Sequence, residues 1–245
     1  MTRLLKTLLA ISLVIPSLSQ AQDVSLTTTN WEPFYGENLD QGGFISALVS
    51  ASFKASGYQS EIEFIQWKEA MAQVKSGEKE VLMGAYYSDE RAQNYHVSIP
   101  IYSVLTGVIK HQKLDLEFYS SFEMLNQYKI GKMEGSVISQ SFDAFPFESI
   151  QGYSGAEEGL QALASGNINL YADNLSVVKS IAGKMGMNPS ELSMVQPPIE
   201  KNDLYIMVSK NIPNGEKIRD DFNAGFIQIQ SQGIYQEILE EFNQN

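Results

Sequence analysis

The chain of 245 residues contains no cysteine. That excludes a disulfide framework, thiol chemistry and a lipid-attachment cysteine near the N-terminus. Histidine is nearly as scarce. His96 and His111 are the only two, and neither belongs to a metal-ligand cluster or stands beside a candidate nucleophile. No GxxxxGK[ST] phosphate loop and no GxGxxG fingerprint occurs. Carboxylates are abundant, but Glu61-x-Glu63, Glu157-Glu158 and Glu240-Glu241 read as solvated faces and not as acid/base pairs. Catalysis therefore has little support, and neither metal nor cofactor is expected. Positive charge is also in short supply. Seventeen Lys and Arg against 29 Asp and Glu give a formal charge of −12, which argues against nucleic acid as a partner.

No apolar run approaches the length of roughly 18 residues that a membrane-spanning helix needs. The first 21 residues instead have the form of a secretory leader: Arg3 and Lys6, an apolar core from Leu8 to Ile15, and the small-x-small site Ser19-Gln20-Ala21. Cleavage is expected after Ala21, giving an exported periplasmic protein, expected to be monomeric, with its charge lowered to −14. Hydrophobic residues at 43 % and aromatics at 11 % suffice for a packed core.

The patterning alternates strands and helices. Val24–Thr28 reads as a strand, and Gly42-Gly43 opens a helix that buries Ile45, Leu48, Val49 and Phe53 and stops at Gly57. Ile62 and Phe64 mark a strand, Trp67–Ser76 a helix ended by Gly77, and Val81–Met83 a third strand, followed by a small-residue turn at Gly84-Ala85. This βαβαβ order implies a parallel sheet with helices on its faces. A similar pattern restarts at the Lys129–Lys132 strand, with a helix expected to start at Gly135-Ser136, and runs to a strand ending at Asp173. The architecture expected is α/β with two hinged lobes, residues 22–109 with 203–245 and residues 110–202, joined by crossings near Lys110 and Asn202.

Arg91 is the residue of most interest. It follows the third strand and sits beyond Ser88-Asp89-Glu90, a helix start with acids in its first turn. A guanidinium there reaches the strand ends, where open α/β sheets bind ligands, and its fork suits a carboxylate. The competing reading is a solvated helix arginine paired with Glu90 or Asp89.

The series Trp31-x-Pro33-Phe34, Gly42-Gly43, Gly57, Trp67, Gly77, Gly84-x-x-x-Ser88-x-Glu90-Arg91 and Pro100-x-Tyr102 resembles the family 3 extracellular solute-binding proteins, the periplasmic receptors of ABC importers for polar amino acids. Lys129-Ile130-Gly131, Gly135-Ser136, Tyr171-Ala172-Asp173 and Phe222-Asn223 extend the likeness over the whole mature chain. The resemblance implies a two-lobed type II periplasmic binding fold and a small carboxylate or amino acid as ligand. It also implies an ABC permease as partner, with a sensor receptor or a dehydratase-like enzyme as alternatives. By position it gives Arg91 the ligand carboxylate and Asp173 the amine, the latter against a plain helix N-cap. It makes Trp31 a stacking wall and Trp67 a second wall or core residue. It places Gly84 at the site and gives Ser136 free N–H groups at a helix start. Tyr86 departs from the pattern, standing where a small hydroxyl residue is usual, and Val137 replaces a frequent threonine. With Tyr35, Tyr87 and Tyr171 it suggests a cleft richer in aromatics than in general polar amino-acid binders.

Overall fold

The computed structural model describes residues 22–244. The leader expected over residues 1–21 lies outside the described residues. β1 (Gln22–Thr28) lies between β2 (Tyr58–Phe64) and β3 (Val81–Tyr86), parallel to both. The connections are α1 (Phe44–Ala55), entered through Gly43, and α2 (Trp67–Ser76), closed by Gly77 in the left-handed region. These elements follow the apolar spacing closely. β3 does not: it continues through Gly84 and Ala85 to Tyr86, where the sequence suggests a turn. Gly84 takes φ +79° inside the strand, and a Cβ there would meet the Tyr35 hydroxyl at 2.5 Å. It is a site of close approach, not a turn.

After α3 (Asp89–Asn94) and the short β4 (Tyr95–Val97), β5 (Tyr102–His111) carries the chain across the molecule. β10 (Glu200–Ser209) is its return path. β10 pairs antiparallel with β3 and β4 through Leu204 to Ser209, and its start, Glu200 to Leu204, pairs with β5 from Tyr102 to Thr106. From Gly107 onward β5 changes partners, to β8 (Leu170–Asp173) and β9 (Leu192–Met194). β6 (Ile130–Met133), parallel to both β7 (Ile150–Tyr153) and β8, completes the second lobe.

Helices cover both lobes. In the first, α7 (Gly215–Ser231) packs on α1, and α8 (Ile234–Glu241) closes the end. Leu26, Phe44, Leu48, Phe53, Val81, Ile206, Phe222 and Phe226 are shut away in its core. In the second lobe, Val108, Leu125, Ile130, Phe142 and Leu170 form the centre, flanked by α5 (Ala156–Ser165) and α6 (Leu175–Lys184).

One helix starts later than its sequence suggests. α4 spans Gln140–Ala144, with Ser139 as N-cap, its hydroxyl accepting from Phe142 N. Residues 135–139 form a loop. Ser136 N–H turns back to the Met133 carbonyl at 3.1 Å, and the β-branched pair Val137-Ile138 adds no helix propensity.

Candidate functional site

The two lobes enclose a cavity of about 40 Å³, room for a few waters, lined by the ends of β3 and β8 and by the loops after β1 and β6. Trp31, Trp67, Gly84, Tyr86, Arg91, Ser136 and Asp173, the seven sequence candidates, all line it. Through Thr29 and Met133 it adjoins a second, more polar pocket of about 440 Å³.

Arg91 is positioned by its helix. Ser88 is the N-cap of α3 and accepts from Arg91 N at 3.1 Å, which turns the side chain back under the strand end. Arg91 Nη1 donates to the Tyr86 carbonyl at 2.7 Å, and Nη2 donates to the Gly135 carbonyl of the second lobe at 3.0 Å. The guanidinium carbon lies 5.5 Å from the Trp67 ring centroid, and Trp67 Nε1 donates to the same Gly135 oxygen at 3.3 Å. Arg91 is only 7 % exposed and makes no salt bridge among the described residues. The solvated surface pairing with Glu90 or Asp89 is thus not what forms. Burial lowers the guanidinium pKa to about 10, against partial support from Tyr95, Asp143 and Glu90.

Asp173 closes β8 on the opposite wall. It is 8 % exposed, accepts from Trp31 Nε1 at 3.1 Å across the lobes and from Asn174 N at 2.6 Å, and makes no salt bridge among the described residues. Burial lifts its pKa from 3.8 to about 6, and those two hydrogen bonds pull the other way. The helix cap is its neighbour: Asn174 Oδ1 accepts from Ser176 N and Val177 N at the start of α6, leaving Asp173 free to face the cavity.

The aromatic walls divide clearly. Trp31 stacks on Phe34 with ring centroids 4.7 Å apart and meets Tyr86 edge-on at 6.1 Å. Tyr35 lines the cavity and donates to the Gly84 carbonyl at 3.2 Å. Tyr87 points away, 49 % exposed and bonded to Asp89, and Tyr171 packs against Gly159 beneath α5. Of the four tyrosines suspected in the cleft, two reach it.

Ser136 lines the cavity, but its N–H and hydroxyl both go to the Met133 carbonyl, so the Ser136 amide is not a free helix-start donor. Sequence reasoning did not reach Thr29, Thr106, Met133, Ile138 and Ala172, which also line the cavity. Thr106 left a trace in the sequence, a hydroxyl within the run Val104-Leu105-Thr106-Gly107-Val108-Ile109, and the structure buries it.

The model of the family 3 bacterial extracellular solute-binding proteins matches residues 24–245. Among solved structures, a histidine kinase sensor domain with similarity to periplasmic binding proteins superposes with a TM-score of 0.79 at 17 % identity, covering 91 % of this chain and 97 % of that one. The arginine-, lysine-, histidine-binding protein ArtJ of Geobacillus stearothermophilus gives 0.74 at 18 % identity, with 90 % and 95 % covered. An ancestral arginine-binding protein bound to arginine gives 0.76 at 20 % identity, with 91 % and 99 % covered. No curated protein matches the chain at the level of sequence. At such identities the structural likeness speaks for the fold alone.

Proposed function

Because the chain belongs to the family 3 bacterial extracellular solute-binding proteins, we propose that it captures a small zwitterion, an amino acid or close analogue, between its lobes and delivers it to an ABC importer. One observation carries this. Two buried groups of opposite charge, Arg91 and Asp173, line one cavity, and neither has a counter-ion among the described residues. Buried charges are normally paired, and leaving one unpaired is costly. A ligand bearing a carboxylate and an ammonium completes both at once.

In this reading Arg91 holds the carboxylate with the donors not engaged by Tyr86 and Gly135, and Asp173 holds the ammonium. Trp31, Trp67 and Tyr86 close on the ligand's apolar surface, Gly84 makes room for Tyr35, and Ser136 forms part of the second-lobe wall. Residues 22–109 with 203–245 move as one lobe and 110–202 as the other, hinged where β5 and β10 cross. The cavity favours a compact ligand, and a longer one reaches past Thr29 and Met133 into the adjoining pocket. Export follows from the leader, and the ligand leaves chemically unchanged. Docking on a membrane sensor is the second reading, suggested by the likeness to a kinase sensor domain.

The test is mass spectrometry of small molecules released on denaturing the purified protein, followed by calorimetry with the compound found. A zwitterion is expected, and Arg91→Ala should bind it roughly 30-fold more weakly, as for loss of one partner of a buried charge pair. Binding of Arg91→Ala equal to wild type would overturn the proposal.

A further inference from the structure

Tyr86 is the residue that departs from the family pattern, and its hydroxyl stands at the end of a directed chain of hydrogen bonds. The Tyr86 oxygen accepts from Thr106 Oγ1 at 3.3 Å. Thr106 Oγ1 accepts from Asn202 Nδ2 at 3.0 Å, and the same nitrogen donates to the Ile138 carbonyl at 2.8 Å. The direction is fixed at the far end. A backbone carbonyl can only accept, so the Asn202 atom facing Ile138 is the amide nitrogen, which can only donate. Thr106 accepts from Asn202, and in the geometry of its contact with Tyr86 the Thr106 hydroxyl is the donor and the Tyr86 oxygen the acceptor. The Tyr86 oxygen is an acceptor within the chain, and its own proton is left over. That proton has no acceptor among the described residues, although the side chain lines the cavity.

We propose that Tyr86 presents its hydroxyl proton to an acceptor oxygen of the ligand, and that Thr106 and Asn202 are positioning residues that fix the direction of that donor. This rests on the zwitterion reading, in which the second carboxylate oxygen is the natural acceptor. The four groups come from distinct parts of the fold: the end of β3, the two crossing strands, and the second-lobe loop before α4. The relay is complete only while the Ile138 loop lies against Asn202, so the donor's aim depends on how the lobes are set. Successive donation along such a chain also polarises its last member. Burial holds the Tyr86 phenol well above its usual range, so it remains a donor at physiological pH.

The experiment begins with a thermal-shift screen of the standard L-amino acids on the wild-type protein. The amino acid giving the largest shift is then the probe in calorimetry with Tyr86→Phe, Thr106→Val, Thr106→Ser and the double variant Tyr86→Phe/Thr106→Val. Tyr86→Phe is expected to weaken binding about tenfold or more, as for a hydrogen bond to a charged group. Thr106→Val should weaken it by about threefold, and Thr106→Ser should restore wild-type affinity, which mere packing of the methyl group would not do. The double variant should bind no more weakly than Tyr86→Phe alone, since both changes remove one contact. Wild-type affinity in Tyr86→Phe, or losses that simply add, would overturn the inference and leave the zwitterion reading intact. Failure of every amino acid to bind the wild type would remove the reading and the inference together.

Discussion

At the scale of single residues, the site sets stability against recognition. Asp173 has a native pKa of about 6, above its ordinary 3.8. A raised carboxyl pKa means that the native state holds its proton to higher pH than the unfolded chain. Below about pH 4 the group costs nothing. As the pH rises from 4 through 6 the penalty of an ionised buried carboxylate develops, reaching on the order of 3 kcal/mol. Asp173→Asn should therefore melt at the same temperature as wild type near pH 4 and at a higher temperature at pH 7, both without ligand. Parallel pH dependence of the two melting curves would refute this. In the proposed function the same ionisation is what the ammonium of a zwitterionic ligand needs. Affinity for a zwitterion should accordingly fall as pH drops below about 6, and Asp173→Asn should lose that dependence, as read by calorimetry across the range. Sequence could place Asp173 at a strand end but could not choose between ligand contact and helix cap. The choice depends on which of two adjacent residues points along the helix axis, and Asn174 does.

At the scale of elements, what was legible is what local periodicity dictates. α1, α2 and α5 follow the apolar spacing, because each must bury one face. Ser88-Asp89-Glu90 was readable as a helix start because capping is local chemistry. The misread elements are those governed by contacts distant in sequence. Gly84 remains in β3 because β10 pairs across it, Ala85 opposite Tyr205 and Met83 opposite Ile206, while Tyr35 occupies the space a side chain would fill. Gly135 opens a loop instead of a helix because its carbonyl is held by Arg91 and Trp67 from the other lobe. Asn174 shows how much one cap can join. Its Oδ1 caps α6, and its Nδ2 donates to the Leu105 carbonyl on the crossing strand at 2.9 Å. Asn174→Ala should lower stability in urea unfolding by about 1–2 kcal/mol, and Asn174→Asp, which keeps the cap but not the tie to Leu105, should lose less. Equal losses in the two variants would mean that the cap contributes nothing separable.

At the scale of the whole molecule, the closed arrangement is held by contacts of unequal worth. Both tryptophans of the chain bond across the lobes, Trp31 to Asp173 and Trp67 to Gly135. Intrinsic tryptophan fluorescence should therefore report ligand binding directly, and a spectrum unchanged at saturating ligand would refute that placement. Among the described residues two salt bridges also span the cleft. Lys68–Glu134, at 2.7 Å, has both side chains more than half exposed, and such pairs contribute little. Lys184–Glu32, at 2.5 Å, differs because the Glu32 side chain is only 10 % exposed. Removing Lys184 leaves a nearly buried carboxylate without its cation, and opening the lobes is the simplest way to rehydrate it. In the proposed function closure is the binding-competent state, so the apparent affinity scales with the fraction of molecules still closed. Lys184→Ala should weaken ligand binding several-fold and increase the radius of gyration of the unliganded protein in X-ray scattering. Lys68→Ala should change neither by a measurable amount. If the two variants behave alike, burial of Glu32 does not govern closure, and the balance between open and closed forms must lie in the crossing strands themselves.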